Sequence, residues 1–185
     1  MISRASNSLY HVSSGPAALI ALIGFFIFGA LVLPAQAQRA KVYSNGAGSP
    51  DSSFFYSTSD LYAMARGYGE AGRAEYIRAR FTFDLLFPLV YLMFLATSIS
   101  WVLVRAFPDG ADRRRVLNIF PVFGVLLDYL ENISTSLVMA SYPDKSFAGF
   151  LAPVFTSFKW FFVNGSFVIL AAGIVVAMWR RFRRL

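Results

Sequence analysis

The chain lacks cysteine altogether and contains one histidine, His11. Without thiols it can form neither a disulfide framework nor a thiolate metal site, and a single imidazole is a poor basis for a haem or zinc centre. Charged residues are also scarce, since they make up 15% of the chain against about 25% in an ordinary soluble domain. The sequence therefore predicts no metal and no cofactor, and its composition is not that of a soluble domain.

Apolar and aromatic residues are abundant instead. Hydrophobic residues make up 57% of the 185 residues and aromatic residues 17%, which is too much apolar surface for a disordered chain. A membrane-spanning helix takes about 20 mostly apolar residues, and four stretches qualify, at about 16–34, 81–104, 116–140 and 147–179. We therefore predict an all-α integral membrane protein, a four-helix bundle that forms one membrane domain over residues 1–185.

Arginines near the ends of these stretches predict the orientation. They occur in the short loop between the second and third stretches and at the C-terminus: Arg105, Arg113, Arg114, Arg115, Arg180, Arg181, Arg183 and Arg184. Such residues favour the cytoplasmic side, which places both chain termini inside and the loop 35–80 outside. We expect a bacterial inner (plasma) membrane protein whose net charge of +7 reflects this topology and attraction to anionic lipid. No nucleic-acid partner is predicted, because no soluble domain presents these arginines.

The N-terminal region allows two interpretations. Arg4, the apolar run and Ala35-Gln36-Ala37 resemble a secretory signal peptide with a cleavage site after residue 37. The apolar run, however, is about 17 residues long, whereas the apolar region of a signal peptide usually has about 7–15. The length favours an uncleaved first helix, and the other three spans keep their orientation in either case.

The outer loop is predicted to be partly helical. Residues 38–58 are rich in Ser, Gly, Asn and Asp and are expected to be irregular. A helix is expected to begin at Ser59 as its N-cap, to break at Gly67 and Gly69, and to resume over 70–80 before running into the second span.

Ionisable residues inside the predicted spans carry the main functional signal. Asp128, Glu131 and Asn132 are spaced i, i+3 and i+4, so they share one helix face. Lys159 falls at nearly the same depth in the antiparallel fourth span, level with Asp128 or Glu131, and Asp84 lies near the outer end of the second span. Because ionisable groups in a membrane are costly, they usually face the bundle interior or a wet cavity.

Two interpretations of this cluster are open. A buried ion pair completed by Asn132 and nearby hydroxyls would fix helix register and do nothing else. Three acids against one lysine are more than one ion pair needs, so the surplus acids would be protonated, hydrated, paired to an outer arginine or matched by a ligand. Three arginines precede the second span: Arg73, Arg78 and Arg80. They could form the outer rim of a binding site, although contact with lipid headgroups is the simpler interpretation.

The sequence contains no nucleophile elbow, HExxH, P-loop or dinucleotide fingerprint, which favours a role other than catalysis. The leading hypothesis is a multi-pass membrane protein whose polar cluster binds a small or lipid-like ligand from the outer side. One alternative is a structural or accessory subunit that binds a membrane-protein partner or a second copy of itself. A further alternative is a small membrane enzyme or proton-coupled carrier.

Four segments carry a resemblance to uncharacterised bacterial four-helix membrane proteins. They are GRAEY (72–76), DLLFPLVY (84–91), LDYLEN (127–132) and FKW (158–160). The likeness covers residues 72–160 and implies a four-helix membrane protein without implying an activity.

Overall fold

The computed structural model describes residues 2–109 and 113–183, so Arg184 of the C-terminal arginine group lies outside the described residues. Within these ranges the chain is all-helical, without strands. Its α-helices are α1 (Ile2–Val12), α2 (Gly15–Leu31), α3 (Leu33–Ser44), α4 (Thr58–Arg80), α5 (Phe83–Ala106), α6 (Phe120–Ser141) and α7 (Ala148–Phe182). Two short 3-10 segments complete the description, Pro50–Ser52 and Arg113–Ile119.

Four helical stretches are long and apolar enough to cross a membrane, as the hydropathy pattern predicts. They are Gly15–Ser44, Thr58–Ala106, Arg113–Ser141 and Ala148–Phe182. Large apolar side chains on their outer faces are left uncovered by the protein, for example Ile20 and Val175, which are 70% and 65% exposed. A surface of this kind matches a hydrocarbon environment better than water.

Close helix packing is made at small residues. A Cβ atom at Gly124 of α6 would lie 3.1 Å from Val163 of α7, and one at Gly173 of α7 would lie 2.8 Å from Val102 of α5. The absence of a side chain at these positions lets the helix backbones approach. α5, α6 and α7 thus form a packed core, and α2 joins it through the stacked rings of Phe25 and Phe94, whose centroids are 4.9 Å apart.

The outer helix α4 differs in detail from the sequence prediction. Its N-cap is Ser57 rather than Ser59, because Ser57 and Asp60 form a reciprocal capping box, which satisfies two helix-terminal N–H groups at once. The predicted break occurs at Gly69, with φ of 65°, whereas Gly67 stays helical. The helix ends at Arg80 and α5 begins at Phe83, so the two do not form one continuous helix.

The prediction that residues 38–58 are irregular is wrong for their first part, because α3 continues to Ser44. Residues 35–41 are Ala, Gln, Arg and Lys, which favour helix, and they extend the apolar helix that precedes them. Asn45 then ends α3 in the left-handed conformation, as Asn tolerates better than most residues.

The connections gather at two opposite ends of the helices. At one end, α1 contacts the 3-10 segment before α6, where the Tyr10 hydroxyl donates to the Arg115 carbonyl at 2.6 Å. At the other end, the start of α4 contacts the turn before α7, where the Ser146 N–H donates to the Tyr62 hydroxyl at 2.8 Å. Thr58 also donates to the Gly149 carbonyl at 3.0 Å, so α4 is attached across that end of the helices.

Candidate functional site

Glu131 and Lys159 form a buried ion pair between α6 and α7. Glu131 is 0% exposed and Lys159 5% exposed. The Thr156 hydroxyl donates to Glu131 Oε1 at 2.6 Å, and the Thr156 oxygen lies 2.9 Å from the Tyr56 hydroxyl. The predicted pairing of Lys159 with an acid on α6 is therefore present, and it is completed by hydroxyl groups.

Asp128 lies on the same helix face but has different partners. The Tyr91 hydroxyl of α5 donates to Asp128 Oδ2 at 3.0 Å, and the Asn132 amide donates weakly to Oδ1 at 3.4 Å. Among residues 2–109 and 113–183, no Lys or Arg nitrogen lies within 4.0 Å of its carboxylate. Asp128 is thus held by neutral donors, in contrast to Glu131.

Arg80 brings two further carboxylates together at the junction of α4 and α5. It forms an ion pair with Asp51, and its Nη2 lies 2.7 Å from Asp84 Oδ2. The guanidinium also lies over the ring of Tyr76, 4.6 Å from the centroid.

A cavity of about 700 Å³ is lined by residues of the helices α2 to α7 and of the segment between α3 and α4. This volume is within the range of about 300–1,000 Å³ that small-molecule sites occupy. One group of lining residues is apolar and mostly aromatic: Phe25, Leu33, Phe83, Phe87, Trp160, Val163 and Phe167. A second group is ionisable: Lys41, Asp51, Arg80, Asp84, Asp128 and Lys159.

Two aromatic rings, one from α2 and one from α7, lie near each other at this cavity. Phe25 and Phe167 both line it, and their ring centroids lie 6.5 Å apart. Phe167 is 40% exposed. This side of the cavity is therefore bounded by side chains.

The cavity brings together part of the predicted set of site residues. Asp84, Asp128 and Lys159 line it. Glu131 is the ion-pair partner of Lys159, and Asn132 is linked to the cavity through its hydrogen bond to Asp128. Neither Glu131 nor Asn132 is among the lining residues.

Of the three predicted rim arginines, Arg80 lines the cavity. Arg73 donates to the Ala65 carbonyl at 3.1 Å. Arg78 pairs with Glu75 at 3.2 Å on the surface. Neither Arg73 nor Arg78 lines the cavity.

The lining residues that sequence reasoning missed include Asp51, Tyr91 and Trp160. Tyr91 follows Asp84 by seven residues, which is about two helical turns. Its position on the same helix face as Asp84 could therefore have identified it. Trp160 is next to Lys159, and its indole N–H donates to the Ser53 carbonyl at 3.1 Å. Asp51 lies in a Ser-rich segment without periodicity, and nothing in the sequence pattern indicates its pairing with Arg80.

The arrangement can hold a molecule that has both an apolar and a polar part, because aromatic walls and fixed charges border the same space. Among the described residues, no group of three or more His, Asp or Glu side chains is placed to hold a metal ion.

Comparisons with protein-family models, curated proteins and solved structures find no match to this chain. The functional argument therefore depends on the geometry of this cavity and its charged residues.

Proposed function

We propose that the protein is a multi-pass protein of the bacterial inner membrane that binds a small or lipid-like ligand in the cavity lined by α2 to α7. The observation that carries the proposal is the cavity itself, about 700 Å³ in volume and lined by aromatic rings together with Asp84, Asp128 and Lys159. Binding pockets combine mostly apolar walls with a few polar groups in this way.

The proposed orientation has both chain termini in the cytoplasm. It is supported by the position of α1 beside the arginine-rich segment 113–115, since Lys and Arg near span ends favour the inner side. α4, with the turn before α7, would then lie outside. Asp51 and Arg80, which lie near α4 and line the cavity, would put its mouth in the outer half of the membrane.

We also propose that the first span is retained rather than cleaved. Ala35-Gln36-Ala37 lies within α3, and Gln36 and Ala37 line the cavity. Ala35 and Ala37 are exposed, but they lie within a helix rather than in an extended segment. Removal of residues up to 37 would also take away Phe25, and with it the stacked contact to Phe94.

A structural or accessory role is the second candidate, and the Glu131–Lys159 pair favours it. The pair is buried and completed by Thr156, as expected of charges that fix the register of two helices. The pair does not account for Asp128, which lines the cavity without a cationic partner among the described residues.

The test is a thermal-stability screen of the purified full-length chain in detergent with phospholipids, sterols and amphiphilic amines. Binding to the folded state raises the melting temperature in proportion to the logarithm of ligand concentration. We expect at least one of these three ligand classes to raise the melting temperature. Phe87→Ala, which removes a lining ring, should make this increase smaller. Phe150→Ala is the control, because Phe150 is exposed and outside the cavity lining. If none of these ligand classes raises the melting temperature and the protein purifies with a bound partner, the proposal is contradicted and the accessory role is favoured.

A further inference from the structure

The charges around the cavity are unequal. Arg80 is already shared by two carboxylates, Asp51 and Asp84, and Lys159 is paired with Glu131. Two cations therefore face three acids before Asp128 is considered.

Asp128 increases this imbalance. It is a lining residue whose described partners are the neutral Tyr91 hydroxyl and Asn132 amide. Lys41 also borders the cavity, but its side chain is exposed at the edge, where water weakens its field. Counted at their formal charges, the two ion-paired groups and Asp128 hold four acids and two bases, an excess of two negative charges, with Asp84 and Glu131 buried and Asp51 and Asp128 partly exposed.

An excess of negative charge beside a largely apolar cavity is unfavourable unless a cation or a proton neutralises it. A ligand that brings a positive charge to Asp128 would therefore bind better than a neutral ligand of the same shape, and an anionic ligand would bind worst. The apolar wall formed by Phe25, Phe83 and Phe87 adds a requirement for a hydrocarbon body next to that charge.

Resting on the proposed function, we infer that the ligand is an amphiphilic primary amine whose protonated nitrogen pairs with Asp128. Its N–H groups donate to the carboxylate oxygens, and its apolar body lies against the phenylalanine rings. The amine can belong to a free amphiphile or to the headgroup of phosphatidylethanolamine, because the two present the same group to Asp128.

The test uses Trp160, which lines the cavity, as a fluorescent reporter in the full-length chain carrying Trp101→Phe and Trp179→Phe. Phosphatidylcholine nanodiscs are titrated at neutral pH with dodecylamine, dodecanol and dodecyl phosphate, which differ in headgroup charge. We expect dodecylamine to bind tighter than dodecanol by about tenfold or more, as a close charge pair provides, and dodecyl phosphate to bind weakest.

Asp128→Asn keeps the shape of the side chain and its ability to accept from Tyr91 while removing the charge. We expect it to abolish the preference for dodecylamine over dodecanol, whereas Asp144→Asn, a charge-matched change in the exposed turn, leaves the preference intact. Compared at equal mole fractions in the nanodisc membrane, the three headgroups decide the question in the unsubstituted chain even if Asp128→Asn fails to fold.

The failures are distinguishable. Equal binding of dodecylamine and dodecanol, or tightest binding of dodecyl phosphate, overturns the amine inference and leaves the proposed ligand-binding function standing. If none of the three changes Trp160 fluorescence, both the inference and the proposed function are overturned.

A second arm identifies the source of the amine. Nanodiscs containing phosphatidylethanolamine are compared with nanodiscs containing phosphatidylglycerol, which lacks an amine. If phosphatidylethanolamine competes with dodecylamine, the lipid headgroup is the source, and if it does not, a free amphiphile is. Competition by phosphatidylglycerol alone would overturn the inference.

Discussion

At the residue scale, Lys159 and Glu131 hold the most buried ion pair of the described chain, and its contribution depends on both partners being present. Lys159→Met or Glu131→Gln alone leaves one charge buried without its partner, so each should lower the free energy of unfolding by about 3–5 kcal/mol. The double variant should recover much of that loss, because no uncompensated charge remains. Thermal unfolding in detergent measures the stability of the three variants. Lys145→Met, in the exposed turn, is the control, and single variants as stable as the unsubstituted chain would contradict the prediction.

The capping box of α4 predicts a pH effect at the same scale. Hydrogen bonds from the Ser57 N–H and hydroxyl lower the pKa of Asp60 below its usual 3.8. Because the folded-state pKa is the lower one, this stabilisation is complete above the unfolded value and is lost as the pH falls through the folded value. We expect hydrogen-exchange protection of the first turn of α4 to fall in that acid range. Asp60→Asn should have weaker protection at neutral pH and a flatter acid profile, and an unchanged profile would contradict the assignment.

At the scale of elements, α3 forms a wall of the cavity because Gly72 lets it approach α4. A Cβ atom at Gly72 would collide with the Tyr43 carbonyl oxygen and would lie 3.2 Å from Tyr68 Cβ. Gly72→Ala should therefore push α3 away from α4 and lower the free energy of unfolding by about 1–3 kcal/mol, as overpacking does. Thermal unfolding measures this loss, and hydrogen exchange in α3 reports the displacement.

Gly24→Ala is the matched control for Gly72→Ala. Nothing lies within 4 Å of a Cβ atom at Gly24, so alanine there should be neutral or stabilising by about 0.5–1 kcal/mol through its higher helix propensity. Equal effects of the two substitutions would show that close packing of α3 on α4 is not what Gly72 provides.

The sequence predicted the elements that depend on local pattern and missed those that depend on distant contacts. Hydropathy alone identifies α5, α6 and α7, and helical spacing places Asp128, Glu131 and Asn132 on one face. The position of Asp51 cannot be predicted in this way, because its partner Arg80 is 29 residues away by numbering and belongs to another element. The continuation of α3 to Ser44 was missed because composition averaged over 38–58 hides the helix-favouring residues at its start.

At the scale of the whole molecule, the proposed orientation can be tested with single cysteines, because the chain contains none of its own. In intact cells, Arg66→Cys and Lys145→Cys should react with a membrane-impermeant maleimide. Arg113→Cys and Arg181→Cys should react after permeabilisation and not before, because arginine-rich ends favour the cytoplasm. The reverse pattern would contradict the orientation, and labelling of all four in detergent is the control for accessibility.

Phe25 on α2 and Phe167 on α7 bound one side of the cavity, and in a bilayer that side would be next to hydrocarbon chains. A hydrophobic ligand would first dissolve in the lipid before it reaches the cavity. Occupancy would follow the mole fraction of ligand in the membrane rather than its concentration in water. The apparent Kd from an aqueous titration would rise as more lipid is added at constant protein, although the affinity of the cavity itself stays the same.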